Sequence, residues 1–179
     1  IYQCQILSLQ INRPPDMTPQ QELLSDPKGG LKLYKNWAVG DAGLVHWCWY
    51  EFLTLTISGL PGILGYGSRA LLYPTLFAKC GKRPAIGRGV VIRRPKDIQL
   101  GRGVLIDDYC CLDVRGESAG IEIADRVSVG RYSTIAAKSG RINLAAGVNI
   151  GSYCRIATNS QIQIAESVLI GAYSYIGTG

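Results

Sequence analysis

The chain has 179 residues, a length that fits one domain with an appendage and allows a sizeable buried core. Hydrophobic residues make up 47% of the sequence and charged residues only 18%, which excludes an intrinsically disordered protein. The formal net charge is +6, so the region that carries the excess of basic residues is expected to face an anionic partner or surface.

Residues 1–43 are polar and are interrupted by prolines and glycines. This composition predicts an extended arm with little core of its own. Because the first residue is Ile rather than Met, we expect the sequence to be part of a longer chain. The interrupting residues are Pro14, Pro15, Pro19, Pro27, Gly29 and Gly30.

Residues 44–79 form a strongly apolar segment that is predicted to be helical. Leu44 to Leu64 is long enough to cross a bilayer, but it contains a His, a Glu and a Pro. Aromatic residues at its start, Trp47 and Trp49 among them, favour a helix that lies in the membrane interface or packs against the next domain and covers its edge. The alternative is an ordinary helical cap beside a solvated basic face.

Eight basic residues and a single acid, Asp97, lie between Lys79 and Arg102. Beside an apolar segment, such a basic stretch would attract anionic lipid. No aromatic residue is interleaved with these charges, so bases could not stack there and we expect no nucleic-acid partner. The basic residues are Lys79, Lys82, Arg83, Arg88, Arg93, Arg94, Lys96 and Arg102.

From residue 80 onward an aliphatic residue recurs every six positions, and four sets of such residues repeat together at intervals of 23, 21 and 20. A fixed period near 20 predicts a solenoid, in which three short strands and three corners make one coil and coils stack about 4.8 Å apart. The sequence therefore predicts an all-β solenoid over residues 80–179. The four sets are Ile98, Ile121, Ile142 and Ile162; Leu100, Ile123, Leu144 and Ile164; Ile106, Val129, Ile150 and Ile170; and Leu112, Ile135, Ile156 and Ile176.

Two further sets of residues fall into the same register. Cys110 and Cys154 occupy small inward positions, so we expect them to be packing residues. The six cysteines contain no CxxC pair, which predicts reduced thiols in a cytosolic compartment. A column of tyrosines is predicted to form a structural ladder along one corner. Its members are Tyr109, Tyr132, Tyr153 and Tyr173.

The units "IGRGVV", "LGRGVL", "VGRYST", "IGSYCR" and "IGAYSY" resemble the hexapeptide repeat of acyltransferases that fold as a left-handed parallel β-helix. The run from Leu60 to Asp113 is similar to a bacterial subgroup of sugar O-acetyltransferases in which a hydrophobic N-terminal segment leads directly into the helix. The handedness comes from this resemblance alone, because parallel crossovers in general favour the opposite hand.

This resemblance implies transfer of an acetyl or other acyl group from acetyl-CoA to a hydroxyl of a sugar or polysaccharide precursor, without a metal. It also implies a homotrimer with active sites between subunits. The expected location is the cytoplasm, with peripheral contact at the inner membrane face.

Transfer to a hydroxyl needs a base with a pKa near neutrality, for which histidine is well suited. In the subgroup, a phrase like "GAYSYIGTG" is followed by Gly and a catalytic His on a loop, so the resemblance places that His and further coils beyond Gly179. No catalytic residue is therefore assigned within this sequence. His46 precedes the coils and is expected to be a packed or interfacial residue beside Trp47.

Four residues are candidates for substrate binding. Asn159, Lys138 and Arg115 each lie three positions past an inward aliphatic residue, so they stack beneath the corner from which the predicted loop would leave. They could hydrogen-bond a sugar or attract the phosphates of CoA, although polar corner residues can also be merely solvated. Tyr175 is expected to point outward from the last strand.

Two other functions use the same fold. A non-catalytic β-helix scaffold could dock on a membrane complex through the arm and the apolar segment. The carbonic anhydrase branch of the fold requires three zinc-binding histidines, and the single His46 outside the coils argues against it.

Overall fold

The computed structural model describes residues 30–178; residues 1–29, with most of the predicted arm, lie outside the described residues. The chain divides between Tyr34 and Lys35 into two units, and all the strands lie in the second. Helices α1 (Gly30–Val39), α2 (Leu44–Ile57) and α3 (Gly62–Leu72) come first. A 3-10 turn at Tyr73–Thr75 then leads into the strands, and a second one, Pro95–Asp97, separates β3 from β4.

The strands are short, between two and four residues each, as expected where a corner follows every few residues. In chain order they are β1 (Lys79–Cys80), β2 (Ala85–Ile86), β3 (Val91–Arg93), β4 (Ile98–Leu100), β5 (Leu105–Ile106), β6 (Cys111–Val114), β7 (Gly120–Ile123), β8 (Ser128–Val129), β9 (Thr134–Ala137), β10 (Arg141–Leu144), β11 (Asn149–Ile150), β12 (Arg155–Thr158), β13 (Gln161–Ile164), β14 (Leu169–Ile170) and β15 (Tyr175–Thr178).

Each strand from β1 to β12 pairs in parallel with the strand three places later in the chain. The result is three five-stranded sheets: sheet A is β1-β4-β7-β10-β13, sheet B is β2-β5-β8-β11-β14, and sheet C is β3-β6-β9-β12-β15. Three consecutive strands therefore make one coil, and the described residues form five coils. The predicted all-β solenoid is confirmed, and its arrangement agrees with the left-handed parallel β-helix that the repeat resembles.

All four predicted aliphatic sets are in register across the sheets. In sheet A, for example, Ile121 pairs with Ile98 and Ile142, and Ile142 pairs with Ile162. The side chains of Ile98, Ile121 and Ile142 are fully buried. Branched side chains stacked coil on coil thus fill the interior, which is why a period read from sequence fixes the architecture.

The tyrosine ladder is also confirmed. Tyr109, Tyr132, Tyr153 and Tyr173 stack with ring centroids 5.3, 5.0 and 5.1 Å apart, and the planes are within 14° of parallel. All four residues have φ near +60°, a left-handed conformation that costs energy for any residue with a Cβ. Ring stacking along the corner offsets part of this cost.

Helices α2 and α3 cover the open edge of the first coil, which has no preceding coil to pair with. Tyr50 donates its hydroxyl hydrogen to the carbonyl oxygen of Ile92 at 2.8 Å, and Arg69 Nε donates to that of Ile86 at 2.9 Å. These contacts satisfy strand carbonyls that would otherwise be unpaired. None of the described helices is both long enough and apolar enough to cross a membrane.

One part of the arm differs from the sequence prediction. The prediction was an extended arm over residues 1–43, but Gly30–Val39 is helical, and Ala38 and Val39 are buried. The interrupting prolines all precede this stretch, and "GLKLYKNWAV" itself contains no proline, so nothing prevents helical hydrogen bonding there. The Ala38 carbonyl then accepts a hydrogen bond from the Arg94 backbone at 2.8 Å.

Candidate functional site

The candidate site is built on one corner of the solenoid, where sheet C ends and sheet A begins. Arg115, Lys138 and Asn159 directly follow β6, β9 and β12. Backbone hydrogen bonds connect the corners of successive coils: Arg115 N donates to Ala137 O at 3.0 Å, and Lys138 N donates to Thr158 O at 2.9 Å. The structure therefore brings these three candidates together on successive coils.

The Arg115 side chain turns back onto a buried carboxylate. Its Nε donates to Asp113 Oδ2 at 2.8 Å, and Arg93 contacts the same oxygen at 3.3 Å. The carbonyl of Arg115 accepts a hydrogen bond from Arg94 at 3.0 Å. Because a buried carboxylate needs such partners, the Arg115 guanidinium is engaged in holding the corner together.

Lys138 and Asn159, in contrast, expose their side chains to solvent. Between them Ser139 Oγ donates to the carbonyl oxygen of Asn159 at 2.6 Å, which ties one coil to the next. At Gly140 a Cβ would overlap the carbonyl oxygen of Ser160, so only glycine permits this close approach of the two coils. The corner is thus a tight turn that presents one cation and one amide.

Sequence reasoning missed a cluster of hydroxyls beside Asn159. Ser160 Oγ donates to Thr178 Oγ1 at 3.0 Å, the Ser160 backbone N donates to Thr158 Oγ1 at 2.9 Å, and the hydroxyls of Thr158 and Thr178 also share a hydrogen bond. The spacing of the repeat could have predicted this cluster, because Thr158 and Thr178 are 20 residues apart, which is the length of one coil. Such a cluster can donate to and accept from the hydroxyls of a bound ligand.

Tyr175 lies at the other end of its strand from this corner. It pairs with Arg155 in register on the outer face of sheet C and is 70% exposed. Its hydroxyl lies close to the position that a Cβ on Gly177 would take, so the ring leans along β15 toward the corner. The absence of a side chain at Gly177 makes this orientation possible.

A shallow groove of about 680 Å³ runs across the strands of sheet A, at the end of those strands where they lead into sheet B. Its polar lining includes outward side chains at the intervals of 23, 21 and 20, a pattern that could have been read from the sequence but was missed. Asn143 Oδ1 is buried there and accepts no hydrogen bond within residues 30–178. The polar residues are Lys79, Gln99, Glu122, Asn143 and Gln163, and small residues flank them at Gly101, Ala124, Ala145 and Ala165.

The basic stretch separates into two groups. Arg93, Arg94 and Arg102 form ion pairs with Asp113, Asp97 and Asp125 at 3.3, 2.9 and 2.7 Å. Hydrogen bonds from the Arg102 backbone and side chain lower the pKa of Asp125. The remaining basic residues make no ion pair to any residue that the structure describes: Lys79, Lys82, Arg83, Arg88 and Lys96.

His46 lies on α2, which packs on the first coil, whereas Asn159 belongs to the fourth. Burial, together with the charge of Lys96, lowers the pKa of His46, and its Nε2 is buried without a hydrogen bond in the described part of the chain. A neutral, packed imidazole fits the expectation for this residue. The structure does not bring His46 together with the candidate corner.

The described cysteines are free thiols, and Cys4 lies outside the described residues. Cys110 and Cys154 are buried and donate to the carbonyls of Gly130 and Gly171 at 3.1 and 3.0 Å, so their predicted packing role is confirmed. Burial raises the pKa of Cys110 to about 11, which keeps it protonated and unreactive. Within residues 30–178 no group of three or more His, Cys, Asp or Glu residues is arranged to hold a metal ion.

No protein-family model matches the chain, and no curated protein matches its sequence. Among solved structures, the chain is similar to serine acetyltransferase isoform 3 from Entamoeba histolytica, solved in complex with cysteine. The identity is 11% and the TM-score 0.24, over 93% of this chain and 53% of that one. The chain thus spans about half the length of that enzyme, and a likeness this weak carries no conclusion about activity.

Proposed function

We propose that the protein is an acyltransferase that moves an acetyl or other acyl group from coenzyme A to a hydroxyl of a sugar or polysaccharide precursor. In this reaction the hydroxyl oxygen bonds to the thioester carbonyl carbon and the carbon–sulfur bond breaks. The hydroxyl proton passes to a base and from the base to the departing sulfur, so CoA leaves as the thiol. The base is not assigned to a described residue.

The observation that carries the proposal is the polar corner of coils three to five. Lys138 supplies a cation that forms no ion pair within residues 30–178, and the phosphates of CoA are anionic. Asn159 and the hydroxyls of Ser160 and Thr178 supply donors and acceptors that match sugar hydroxyls. This corner lies in the part of the chain whose units resemble the hexapeptide acyltransferases.

The groove on sheet A supports the same proposal. It runs along the stacking direction and is open to solvent, so it can accept an elongated molecule such as CoA or a glycan. Asn143 Oδ1 offers an acceptor without a partner, and a ligand hydroxyl or amide would satisfy it. We include in the proposal a homotrimer, as the resemblance of the repeats to the hexapeptide acyltransferases implies.

The test is to incubate the full-length protein with acetyl-CoA and a panel of nucleotide sugars and polysaccharide precursors, and to follow release of the CoA thiol. We expect release that depends on one class of acceptor and yields an acetylated product by mass spectrometry. Replacement of Lys138 or Asn159 by Ala should lower kcat/KM by about tenfold.

Arg126→Ala is the matched control, since Arg126 is exposed on a different corner, and its activity should equal that of the wild type. If folded protein releases no thiol with any acceptor, the proposal fails and the non-catalytic scaffold is the better account. Equal losses in Arg126→Ala and Lys138→Ala would also count against the assigned corner.

A further inference from the structure

Helices α2 and α3 present a wide apolar surface to solvent, which we name the apolar helical face. Leu55 and Ile63 are each 87% exposed, and Val45 and Leu64 are nearly as open. Isolated exposed hydrophobic residues are ordinary, but so many of them on two consecutive helices mark an interaction site. The other members are Leu44, Trp49, Phe52, Leu60, Tyr66 and Leu71.

Packing on the solenoid fixes the orientation of this face. In α2 the buried residues are Tyr50, Leu53 and Ile57, which share one side of the helix at helical spacing. In α3 the buried residues are Gly65 and Arg69. Since one side of each helix is held by the first coil, the exposed apolar residues have no other part of the described chain to pack against.

The apolar helical face carries no exposed charge. Between Leu44 and Leu72 the charged residues are Glu51 and Arg69. Arg69 is buried, and half-buried Glu51 accepts a hydrogen bond from Trp47 Nε1 at 3.0 Å. Contact with hydrocarbon would therefore not require the desolvation of an unpaired charge.

Apart from the exposed hydroxyl of Tyr66, the hydroxyl and indole groups of this face are satisfied internally. Thr56 Oγ1 donates to Phe52 O and Ser68 Oγ donates to Leu64 O, both at 2.6 Å, while Trp49 Nε1 donates to Thr75 Oγ1 at 2.8 Å. A protein interface usually makes about one hydrogen bond per 100–200 Å². A face on which most side-chain donors are already hydrogen-bonded within the protein suits lipid better than a protein partner.

The first coil carries basic residues that form no ion pair within residues 30–178, and one of them, Arg88, lies at the margin of the apolar helical face. Arg88 lines a groove of about 470 Å³ together with Ile63, Tyr66 and Asp108, whose Oδ1 accepts a hydrogen bond from the Arg88 backbone, so the guanidinium adjoins the exposed apolar side chains. Lys82 and Arg83 are exposed in the same coil. This arrangement complements a surface that is hydrocarbon within and anionic at its headgroups.

We propose that the apolar helical face docks into the interface of a bilayer that contains anionic lipid, with α2 and α3 lying on the membrane. The apolar side chains would enter the boundary of the acyl chains, and Lys82, Arg83 and Arg88 would contact the headgroup phosphates. The proposal does not depend on acyl transfer, because it rests on the helices and the first coil alone.

The test is flotation of the full-length protein with vesicles of phosphatidylcholine alone or mixed with phosphatidylglycerol. We expect binding to the mixed vesicles that weakens as salt increases. Leu55→Gln and Ile63→Gln should each reduce the partition constant about tenfold, because each removes a large apolar side chain from the boundary. Replacement of Arg88 by Gln should reduce it about fivefold.

Two controls separate docking from general effects. Leu169→Gln changes a leucine that is 74% exposed on β14, and Arg126→Gln changes an exposed arginine away from the first coil; both should bind vesicles like the wild type. Absence of vesicle binding by the folded wild type overturns the proposal. So does self-association, seen by sedimentation, that Leu55→Gln abolishes while vesicle binding is unchanged, since the face would then join two copies.

Discussion

Arg69 Nε donates to the carbonyl oxygen of Ile86 at 2.9 Å, and this contact joins the helical segment to the exposed edge of the first coil. The same guanidinium donates from Nη1 to the carbonyls of Ile57 and Leu60 at 3.0 and 2.8 Å, just where α2 ends. The carbonyl end of a helix carries partial negative charge, so a buried cation is stabilised there. The Arg69 side chain thus hydrogen-bonds both to the C-terminal carbonyls of α2 and to the exposed edge of the first coil.

Replacement of Arg69 by Met should lower the free energy of unfolding by about 3 kcal/mol, because several buried carbonyls would lose their donor. Arg69→Lys should not restore the stability, because the single ammonium of lysine lacks the several planar N–H donors with which the guanidinium bonds to both β2 and the end of α2. Urea unfolding followed by circular dichroism measures the change. Arg126→Met should cost under about 0.5 kcal/mol, and an equal effect of the two variants would contradict the role given to Arg69.

The tyrosine ladder gives a prediction with an internal comparison. Tyr132 stacks on both Tyr109 and Tyr153 and has φ of +58°, so Tyr132→Ala should cost about 1–2 kcal/mol of stability. Tyr132→Gly loses the same stacking but removes the strain of a Cβ, and should cost about 1 kcal/mol less. Thermal unfolding of the two variants distinguishes them. The reverse order would mean that the left-handed conformation is not strained.

The sequence predicted the inward side of the coils well and the outward side poorly. Inward positions such as Ile121 and Ile142 must be apolar in every coil, so their period survives in one sequence. The contacts of outward side chains depend on which residues the fold brings next to them. The spacing of the repeat does not indicate that Arg115 pairs with Asp113, whereas Lys138 forms no ion pair within residues 30–178.

In the helical region, too, the packing side was easier to predict from the sequence than the solvent-facing side. Its apolar composition predicted a segment that covers the first coil, and Tyr50 makes that contact through Ile92. The side that faces solvent could not be assigned, because α2 is apolar nearly all round and only tertiary packing distinguishes Leu53 from Leu55. The fold was therefore accessible from the period, and the surfaces that act on partners required coordinates.

His46 predicts a specific pH dependence. Its pKa in the folded protein lies below the ordinary value of 6.5, so the unfolded chain binds the proton more tightly. The stability that His46 contributes is complete above pH 6.5 and is lost as the pH falls from there toward the lower folded pKa. In His46→Gln this part of the dependence should vanish. Urea midpoints at pH 7.5 and 5.5 measure it, and equal differences in both proteins would contradict the assignment.

Glycine substitutions test how closely the coils approach at the candidate corner. Gly140→Ala should destabilise the protein by about 3 kcal/mol, because the new methyl group would overlap the Ser160 backbone. Gly67→Ala is the control: no atom lies within 4 Å of its added Cβ and the position is helical, so stability should rise by about 0.5–1 kcal/mol. Tolerance of both changes would show that the corner is looser than the structure indicates.

Hydrogen exchange with bound CoA tests the central claim, that the polar corner between sheets C and A is where the acyl donor or acceptor binds. Full-length protein would be labelled in deuterated buffer with and without saturating CoA, and peptides would be compared by mass spectrometry. The account predicts slower exchange at residues 138–140 and 159–160 and no change at the tyrosine corner around Tyr132. Protection confined to the tyrosine corner, or no protection in any coil, would contradict it.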